Sequence, residues 1–229
     1  MLKNSAQTGT QASDKRPVHQ SVYEQLRDRI LFGELAPGQA VTIQGIAQEL
    51  DAGLTPVRET IRRLTSEGAL KMMGNRRVIV PLLTANCIEE LDFMRKSLEP
   101  QLAWRAVGNA SSAAIDQLRE HDSALNNAIS RGDIGGYLEQ NYAFHAAVYA
   151  LAEAPIMTAT VDRLWLRFGP SLRVVCGRYG TMNLPDKHAE LLHAFEMRNK
   201  EAASKAMAED VAQGMAQIRD ALHKPEVSV

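Results

Sequence analysis

The spacing of apolar residues near the start of the chain predicts a helix followed by a turn. Val22, Leu26 and Ile30 recur at four-residue intervals, which is the spacing of one helix face, and they predict a helix over residues 18–32. Residues 33–38 contain a proline and two glycines, a composition that is typical of a turn. The first structured element is therefore expected to be short and to end abruptly.

Two more helices and a hairpin are predicted before residue 84. The second helix follows Thr42, and the third is expected to begin with Thr55 as its N-cap and to end at Gly68, because threonine caps helices and glycine stops them. Residues 70–73 and 78–80 then form two apolar runs on either side of a polar tip, which predicts two strands. Three helices followed by a hairpin are the order of a winged helix-turn-helix.

From residue 84 onwards the pattern of apolar residues is helical throughout. Six helices separated by short breaks are predicted, over residues 84–107, 111–131, 133–152, 155–178, 184–198 and 200–223. Short connections favour antiparallel neighbours. We therefore expect a mainly α-helical chain with three parts: a disordered segment (1–16), a winged helix-turn-helix unit (17–83) and an all-α antiparallel helical bundle (84–229).

Composition and charge narrow the class of protein. With 45% hydrophobic and 23% charged residues, the chain is not a disordered protein, and its 26 basic against 27 acidic side chains exclude a wholly basic nucleic-acid coat protein. Residues 1–83 carry 11 basic and 8 acidic side chains, and residues 84–229 carry 15 and 19. This asymmetry favours a nucleic-acid module joined to another unit. Two distant cysteines and the lack of a membrane-length apolar run lead us to expect a cytoplasmic protein outside the membrane.

One face of the predicted third helix carries side chains suited to DNA. Thr55, Arg58, Glu59 and Arg62 recur at three- and four-residue intervals opposite the apolar stripe, and such arginines can contact phosphates or guanine edges in a major groove. For this helix taken alone, the alternative is a charged face that contacts only solvent. The candidate DNA-contacting residues, two of them on the hairpin tip, are Thr55, Arg58, Arg62, Arg63, Arg76 and Arg77.

Charged residues inside the apolar stripes of the bundle are candidates for ligand binding. Arg95 lies within a stripe of the first bundle helix and needs a partner, because an unpaired buried cation is costly. That partner is either Glu99, one turn later, or an anionic ligand, whose carboxylate Arg95 could clamp in bidentate fashion. Arg173 is a second candidate for an effector contact.

A second set of polar residues could hold a metal ion. Asn141 and His145 are one turn apart on an apolar helix face, His188 begins a later helix, and Asp210 lies on the last helix. Side chains from three helices can converge on one metal. The alternative is that the histidines are core residues with hydrogen-bond partners and no metal.

The motifs also point to a family. The segments LRDRILFGELAPGQAV and TPVRETIRRLTSEGAL, followed by the hairpin, closely resemble the DNA-binding domain of GntR-family bacterial transcription regulators. The remainder resembles the FCD effector domain of the FadR subfamily, through Arg95 with Leu98–Glu99, Phe144–His145, Lys187–His188 and the last helix. The resemblance extends over about residues 18–223.

The resemblance implies a homodimer that binds an inverted-repeat DNA operator and responds to a small organic acid. It also implies a divalent metal held by one aspartate and three histidines, at the positions of Asn141, His145, His188 and Asp210 in this chain. Two positions match the pattern, while Asn141 and Asp210 depart from it. The set could bind Zn²⁺ or Ni²⁺ more weakly than the full pattern, or it could have lost the metal.

The DNA module departs from the family pattern at one point. This chain has Gly53–Leu54 where the family usually has Ser–Arg, so an arginine that commonly contacts DNA is missing. Residues and resemblance together predict a ligand-responsive transcription regulator, most often a repressor, and not an enzyme. The alternatives are a dimeric architectural DNA binder without an effector, and an enzyme that uses a metal held by two histidines and a carboxylate.

Overall fold

The computed structural model describes residues 18–74, 77–180 and 187–223. Within these ranges the chain forms nine helices and three short strands: α1 Val18–Leu31, β1 Ala40–Val41, α2 Ile43–Glu49, α3 Leu54–Glu67, β2 Lys71–Met72, β3 Val78–Ile79, α4 Ala85–Asn109, α5 Ser112–Arg131, α6 Ile134–Leu151, α7 Pro155–Tyr179, α8 Lys187–Glu196 and α9 Lys200–His223. The segment predicted to be disordered, 1–16, lies outside the described residues, and so does Arg76 of the hairpin tip. None of these helices is long and apolar enough to cross a membrane.

Helices α1 to α3 and a three-stranded sheet form the first unit. The strands are antiparallel in the order β1-β3-β2, with Val78 of β3 opposite both Val41 and Met72. The apolar stripe of α3 is buried as predicted, at Val57, Ile61 and Leu64. The winged helix-turn-helix prediction is confirmed, but β1 was not predicted, because two residues are too short to show an alternating pattern.

The start of α3 differs from the prediction. The helix begins at Leu54, and Gly53 is its N-cap in an extended conformation with no side-chain hydrogen bond. Thr55, predicted to be the cap, lies inside the first turn, where Pro56 is also tolerated because no intrahelical partner is needed for its missing N–H. The helix ends as predicted at Gly68, which adopts a left-handed conformation at φ 81°.

Helices α4 to α9 form the bundle. Helix α9 packs along α4 and also contacts α8, while α5 packs along α6. The predicted ranges agree with the observed helices to within about three residues at their described ends. The mainly α-helical fold class, with a winged helix-turn-helix before a helical bundle, is confirmed.

The two units meet where α1 crosses α7. Gly169 of α7 lies against the backbone carbonyl of Leu31, and a Cβ at this position would overlap the carbonyl oxygen. Nearby, Nη2 of Arg27 donates a hydrogen bond to the hydroxyl of Tyr142 on α6, at 2.6 Å. The end of α1 is therefore held against the bundle by close backbone packing and by a charged hydrogen bond.

Candidate nucleic-acid interface and metal centre

The first unit has a concave surface whose lining, among the described residues, includes arginines and no carboxylates. The start of α2, one face of α3 and the sheet enclose a cavity of about 800 Å³, which we call the arginine concavity. Arg58, Arg62 and Arg77 line it, all three are exposed, and none has an acidic partner among the described residues. Unpaired positive charge on a concave surface attracts a polyanion, and arginine suits both phosphates and guanine edges.

The face of α3 that lines this concavity is rotated relative to the predicted one. Leu54, Arg58, Arg62 and Thr65 line it, at intervals of three and four residues. Thr55 is exposed but is not among the lining residues. Because no side chain caps α3, the N–H groups of its first turn are not occupied by a cap and can bind a phosphate.

Arg63 is used inside the unit. Its guanidinium lies 3.5 Å from the centroid of the Tyr23 ring, and its Nε is 3.0 Å from Oε1 of Glu67. The Tyr23 hydroxyl donates to Oε2 of the same carboxylate, and burial together with Glu67 raises the pKa of Tyr23 to about 12. These contacts join α1 to α3, so the structure does not bring Arg63 into the arginine concavity.

In the bundle, three predicted metal ligands come together from three helices. His145 of α6 and His188 of α8 are buried, and both face Asp210 of α9. Nε2 of His145 is 3.2 Å from one Asp210 oxygen, and Nε2 of His188 is 4.0 Å from the other. One ligand atom from each residue lies within 4.8 Å of the other two. We call these residues the His–His–Asp cluster.

The other nitrogen of each histidine ring has its own polar contact. Nδ1 of His145 is 3.2 Å from the hydroxyl of Tyr149, and Nδ1 of His188 is 3.4 Å from Oδ1 of Asp122. The contact with Tyr149 orients the ring of His145, and Asp122 lies beside His188 without a hydrogen bond; both Nε2 atoms face Asp210. A histidine that binds a metal through one nitrogen usually has its other nitrogen held by a carboxylate or another polar group.

The cluster fits a divalent transition metal. Burial alone would raise the pKa of Asp210, but the facing His145 and His188 lower it to about 2, so the carboxylate is ionised at neutral pH. Two imidazole nitrogens and one carboxylate form a ligand set that Zn²⁺ accepts. Asn141 lines the same small cavity and can offer an amide oxygen, which is a weaker ligand than a carboxylate.

The cavity beside the cluster is small and polar. Its volume is about 50 Å³, which is room for an ion together with a few water molecules or a small group such as a carboxylate, and not for a drug-sized ligand. Arg95, Trp165 and Gln213 line it together with Asn141, His145 and Asp210. Oε1 of Gln213 is buried without a hydrogen-bond partner among the described residues, so the cavity contains a polar atom that needs one.

Arg95 pairs with Glu99, which is one of the two partners considered from the sequence. Its Nε and Nη2 bind the two oxygens of Glu99, at 2.5 and 3.1 Å, and its guanidinium lies 4.0 Å from the centroid of the Phe168 ring. Glu99 therefore occupies the Nε–Nη2 edge of the guanidinium, and only the edge formed by Nη1 and the second Nη2 hydrogen is left for an effector carboxylate. Arg95 also lines the cavity, and its effector contact stays a prediction.

The other predicted effector residue lies elsewhere. Nη1 of Arg173 donates to the backbone carbonyl of Phe32 at 3.3 Å, and its stem packs against Gly33. Arg173 is not among the residues that line the cavity. The structure therefore places it at the junction of the two units and does not bring it to Arg95.

Two supporting residues were missed in the sequence. The Tyr149 hydroxyl donates to Glu99 at 2.7 Å and accepts from Nε1 of Trp165 at 3.3 Å, in addition to its contact with His145. Its position one turn after His145 was a usable signal. Asp122 lies on a separate helix, and no local spacing relates it to His188.

Comparison with known proteins assigns both units to known protein families. Residues 18–80 match the family described as bacterial regulatory proteins, gntR family, and residues 90–213 match the FCD domain. The chain is 29% identical over 199 residues to the HTH-type transcriptional regulator McbR of Escherichia coli K12, a match that covers 85% of this chain and 90% of McbR. It is 23% identical over 217 residues to the HTH-type transcriptional repressor RspR of the same strain, covering 92% and 94% of the two chains.

Solved structures agree in fold. Escherichia coli McbR/YncC superposes with a TM-score of 0.84 at 26% identity, over 90% of this chain and 98% of that one. A putative GntR transcriptional regulator from Rhodococcus sp. RHA1 superposes with a TM-score of 0.74 at 22% identity, over 88% and 97%. The relatives are named as regulators and not as enzymes, which agrees with the sequence prediction. The chain belongs to the GntR family of transcriptional regulators and carries an FCD domain.

Proposed function

We propose that this regulator is a homodimeric repressor whose affinity for an inverted-repeat DNA operator is set by a small organic acid bound in the bundle, with a divalent metal as its anchor. The observation that carries the proposal is the pairing of two sites in one chain. The arginine concavity offers unpaired cations to DNA, and the His–His–Asp cluster offers metal ligands beside a cavity.

The DNA contacts that we propose centre on α3 and the wing. Arg58 and Arg62 supply charge and base-edge donors, Arg77 supplies a phosphate contact, and Thr55 and the first turn of α3 lie beside them. Arg63 contributes less than the sequence predicted, because its charge is already matched by Glu67. Arg76 remains a predicted contact from the hairpin tip.

The electrostatics of the bundle support a metal as the anchor for an acid. Arg95 is neutralised by Glu99, and Asp210 adds a negative charge, so the cavity lining alone has no unmatched cation for a carboxylate. His145, His188 and Asp210, with Asn141 beside them, would hold Zn²⁺ or Ni²⁺. The bound ion would supply the positive charge that an organic acid requires.

A homodimer is supported by apolar surface on the bundle and its linker. Phe93 of α4 is 72% exposed and Leu82 is 63% exposed, and Met94 is also exposed. A two-fold dimer matches an inverted repeat, with one winged helix on each half. The division proposed from the sequence, 17–83 for DNA binding and 84–229 for effector binding and dimerisation, follows from this assignment. The function would place the protein with the bacterial chromosome in the cytoplasm.

The name of one relative supports the proposed repressor role. RspR, which matches over 92% of this chain, is named a transcriptional repressor. A repressor needs only to occupy its operator, so the two sites described here are sufficient for that role.

DNA binding by the arginine concavity is tested by fluorescence anisotropy with a duplex selected from a random library by the full chain. Arg58→Ala is expected to weaken specific binding by about 1–3 kcal/mol and to reduce its dependence on salt. Arg105→Ala is the matched control, because Arg105 is an exposed arginine of α4 in the bundle, and it should leave affinity unchanged. Equal affinities of wild type and Arg58→Ala would contradict the assignment.

A further inference from the structure

We propose that Leu54 is a specificity-determining residue that contacts the 5-methyl group of a thymine in each half of the operator. The inference rests on the proposed function, since it assigns a base contact to the arginine concavity. Leu54 is the first residue of α3, its side chain is 51% exposed, and it lines the concavity one turn before Arg58.

The exposure of Leu54 is not explained by the core. Helix α3 packs through Val57, Ile61 and Leu64, which are almost completely buried. Single exposed leucines are common on protein surfaces and need no explanation by themselves. What distinguishes Leu54 is its place at the N-terminal end of the helix. It shares the concavity with three arginines that have no acidic partner in the part of the chain that the structure describes.

The position of Leu54 and the chemistry of its side chain together indicate thymine as the contacted base. In helix-turn-helix proteins the N-terminal residues of the recognition helix contact base edges in the major groove. An aliphatic side chain neither donates nor accepts a hydrogen bond, and the thymine methyl is the major-groove group that favours apolar contact. Met72 is an exposed apolar residue on the other side of the concavity, but it belongs to the wing hairpin.

The identity of the side chain at this position decides which base it can favour. Leu54 stands between Gly53, the N-cap of α3, and Thr55 in the first turn. Arginine at that position offers donors to guanine, whereas leucine offers only an apolar surface. We therefore expect the operator to have thymine at the position that Leu54 faces.

The test replaces thymine by deoxyuridine, which removes only the 5-methyl group. The full chain is first used to select duplexes from a random library, and each thymine of the selected operator is then replaced in turn. One thymine position per half-site should show a loss of affinity of about fourfold, the value of one buried methyl group. In Leu54→Ala, the thymine and uracil duplexes should bind equally well.

One control variant and the selection step separate the possible outcomes. Ile156→Ala removes an exposed apolar side chain of α7 outside the concavity and should keep the full sensitivity to uracil. Specific binding with no sensitive thymine, or the same sensitivity in Leu54→Ala as in wild type, would overturn the assignment while leaving the proposed function intact. Failure to select any sequence would contradict the proposed function itself, and this inference with it.

Discussion

The hydroxyl of Tyr149 connects the two polar groups of the bundle core. It contacts Nδ1 of His145, donates to Glu99, which pairs with Arg95, and accepts from Trp165. Burial and the neighbouring Glu99 raise the pKa of Tyr149 well above its usual value, so the hydroxyl keeps its proton. A neutral hydroxyl in this position orients the imidazole of His145 toward Asp210.

Removing this hydroxyl tests the orientation of the proposed metal ligands. Tyr149→Phe keeps the ring and its packing but lets His145 rotate, and it is expected to weaken zinc affinity roughly 10- to 100-fold. The measurement is isothermal titration of metal-stripped protein with Zn²⁺. Tyr23→Phe removes a hydroxyl outside the bundle and should leave zinc affinity unchanged. Identical affinities of wild type and Tyr149→Phe would show that the hydroxyl has no positioning role.

At the scale of single residues, local spacing predicted some contacts and not others. Helical spacing offered Glu99 as one partner for Arg95, and the apolar context of His145, His188 and Asp210 allowed them to converge. The structure has both arrangements. Asp122 could not be predicted, because its contact with His188 depends on how α5 and α8 pack. For the same reason the sequence could not show that Arg173 lies at the junction of the units.

Among the elements, the crossing of α1 and α7 positions the DNA-binding unit. Gly169 allows the Leu31 carbonyl to approach the axis of α7 more closely than any residue with a Cβ would permit. Phe32, just after α1, lies edge-on to the Tyr142 ring, with the centroids 6.1 Å apart. The crossing is therefore set by backbone contact on one side and by aromatic packing on the other.

A methyl group at the crossing should loosen it. Gly169→Ala is expected to lower the free energy of unfolding by about 1–3 kcal/mol, because the Cβ overlaps the Leu31 carbonyl and the helices must separate. Urea denaturation measures the change. Gly177→Ala is the matched control on the same helix, since nothing lies within 4 Å of its added Cβ, and it should be neutral or stabilising by up to about 1 kcal/mol. Equal effects of the two substitutions would rule out the steric explanation.

The elements themselves were largely predictable from the sequence. Long amphipathic helices and glycine stops, such as Gly68 and Gly132, mark most of the bundle and its boundaries. The predicted start of α3 was wrong by two residues, because a glycine N-cap without a side-chain bond leaves no sequence signal as strong as threonine. Strand β1 was missed because its pairing with β3 depends on tertiary structure.

For the whole molecule, the proposed function requires that the bundle cavity influences the DNA-binding unit. A continuous set of contacts runs from the cluster to α1. The ring of His145 lies 5.3 Å from that of Trp165, which lies edge-on to Tyr142 at 5.3 Å, and the Tyr142 hydroxyl accepts the hydrogen bond from Arg27. Spatial continuity alone does not demonstrate coupling, so it must be measured.

Tyr142→Phe interrupts this set of contacts by removing only the hydroxyl oxygen of Tyr142. The ring remains against Trp165, but the hydrogen bonds to Arg27 and Asp162 are lost. We expect zinc affinity and basal operator affinity to stay within about twofold of wild type, while the effect of zinc on operator affinity disappears. Tyr23→Phe, which alters a hydroxyl inside the first unit, should retain the zinc effect. A full zinc effect in Tyr142→Phe would exclude Tyr142 from the coupling.

The most direct test of the account is the operator affinity of the wild-type protein with and without zinc. Metal-stripped protein is titrated onto the selected duplex, and the titration is repeated after the protein has been loaded with Zn²⁺. The variants His188→Ala and His193→Ala are measured in the same way, and His193, which is exposed, serves as the control. The account predicts a change of at least about fivefold in wild type and His193→Ala, and none in His188→Ala. An operator affinity that zinc leaves unchanged in wild type, or changes equally in His188→Ala, would contradict it.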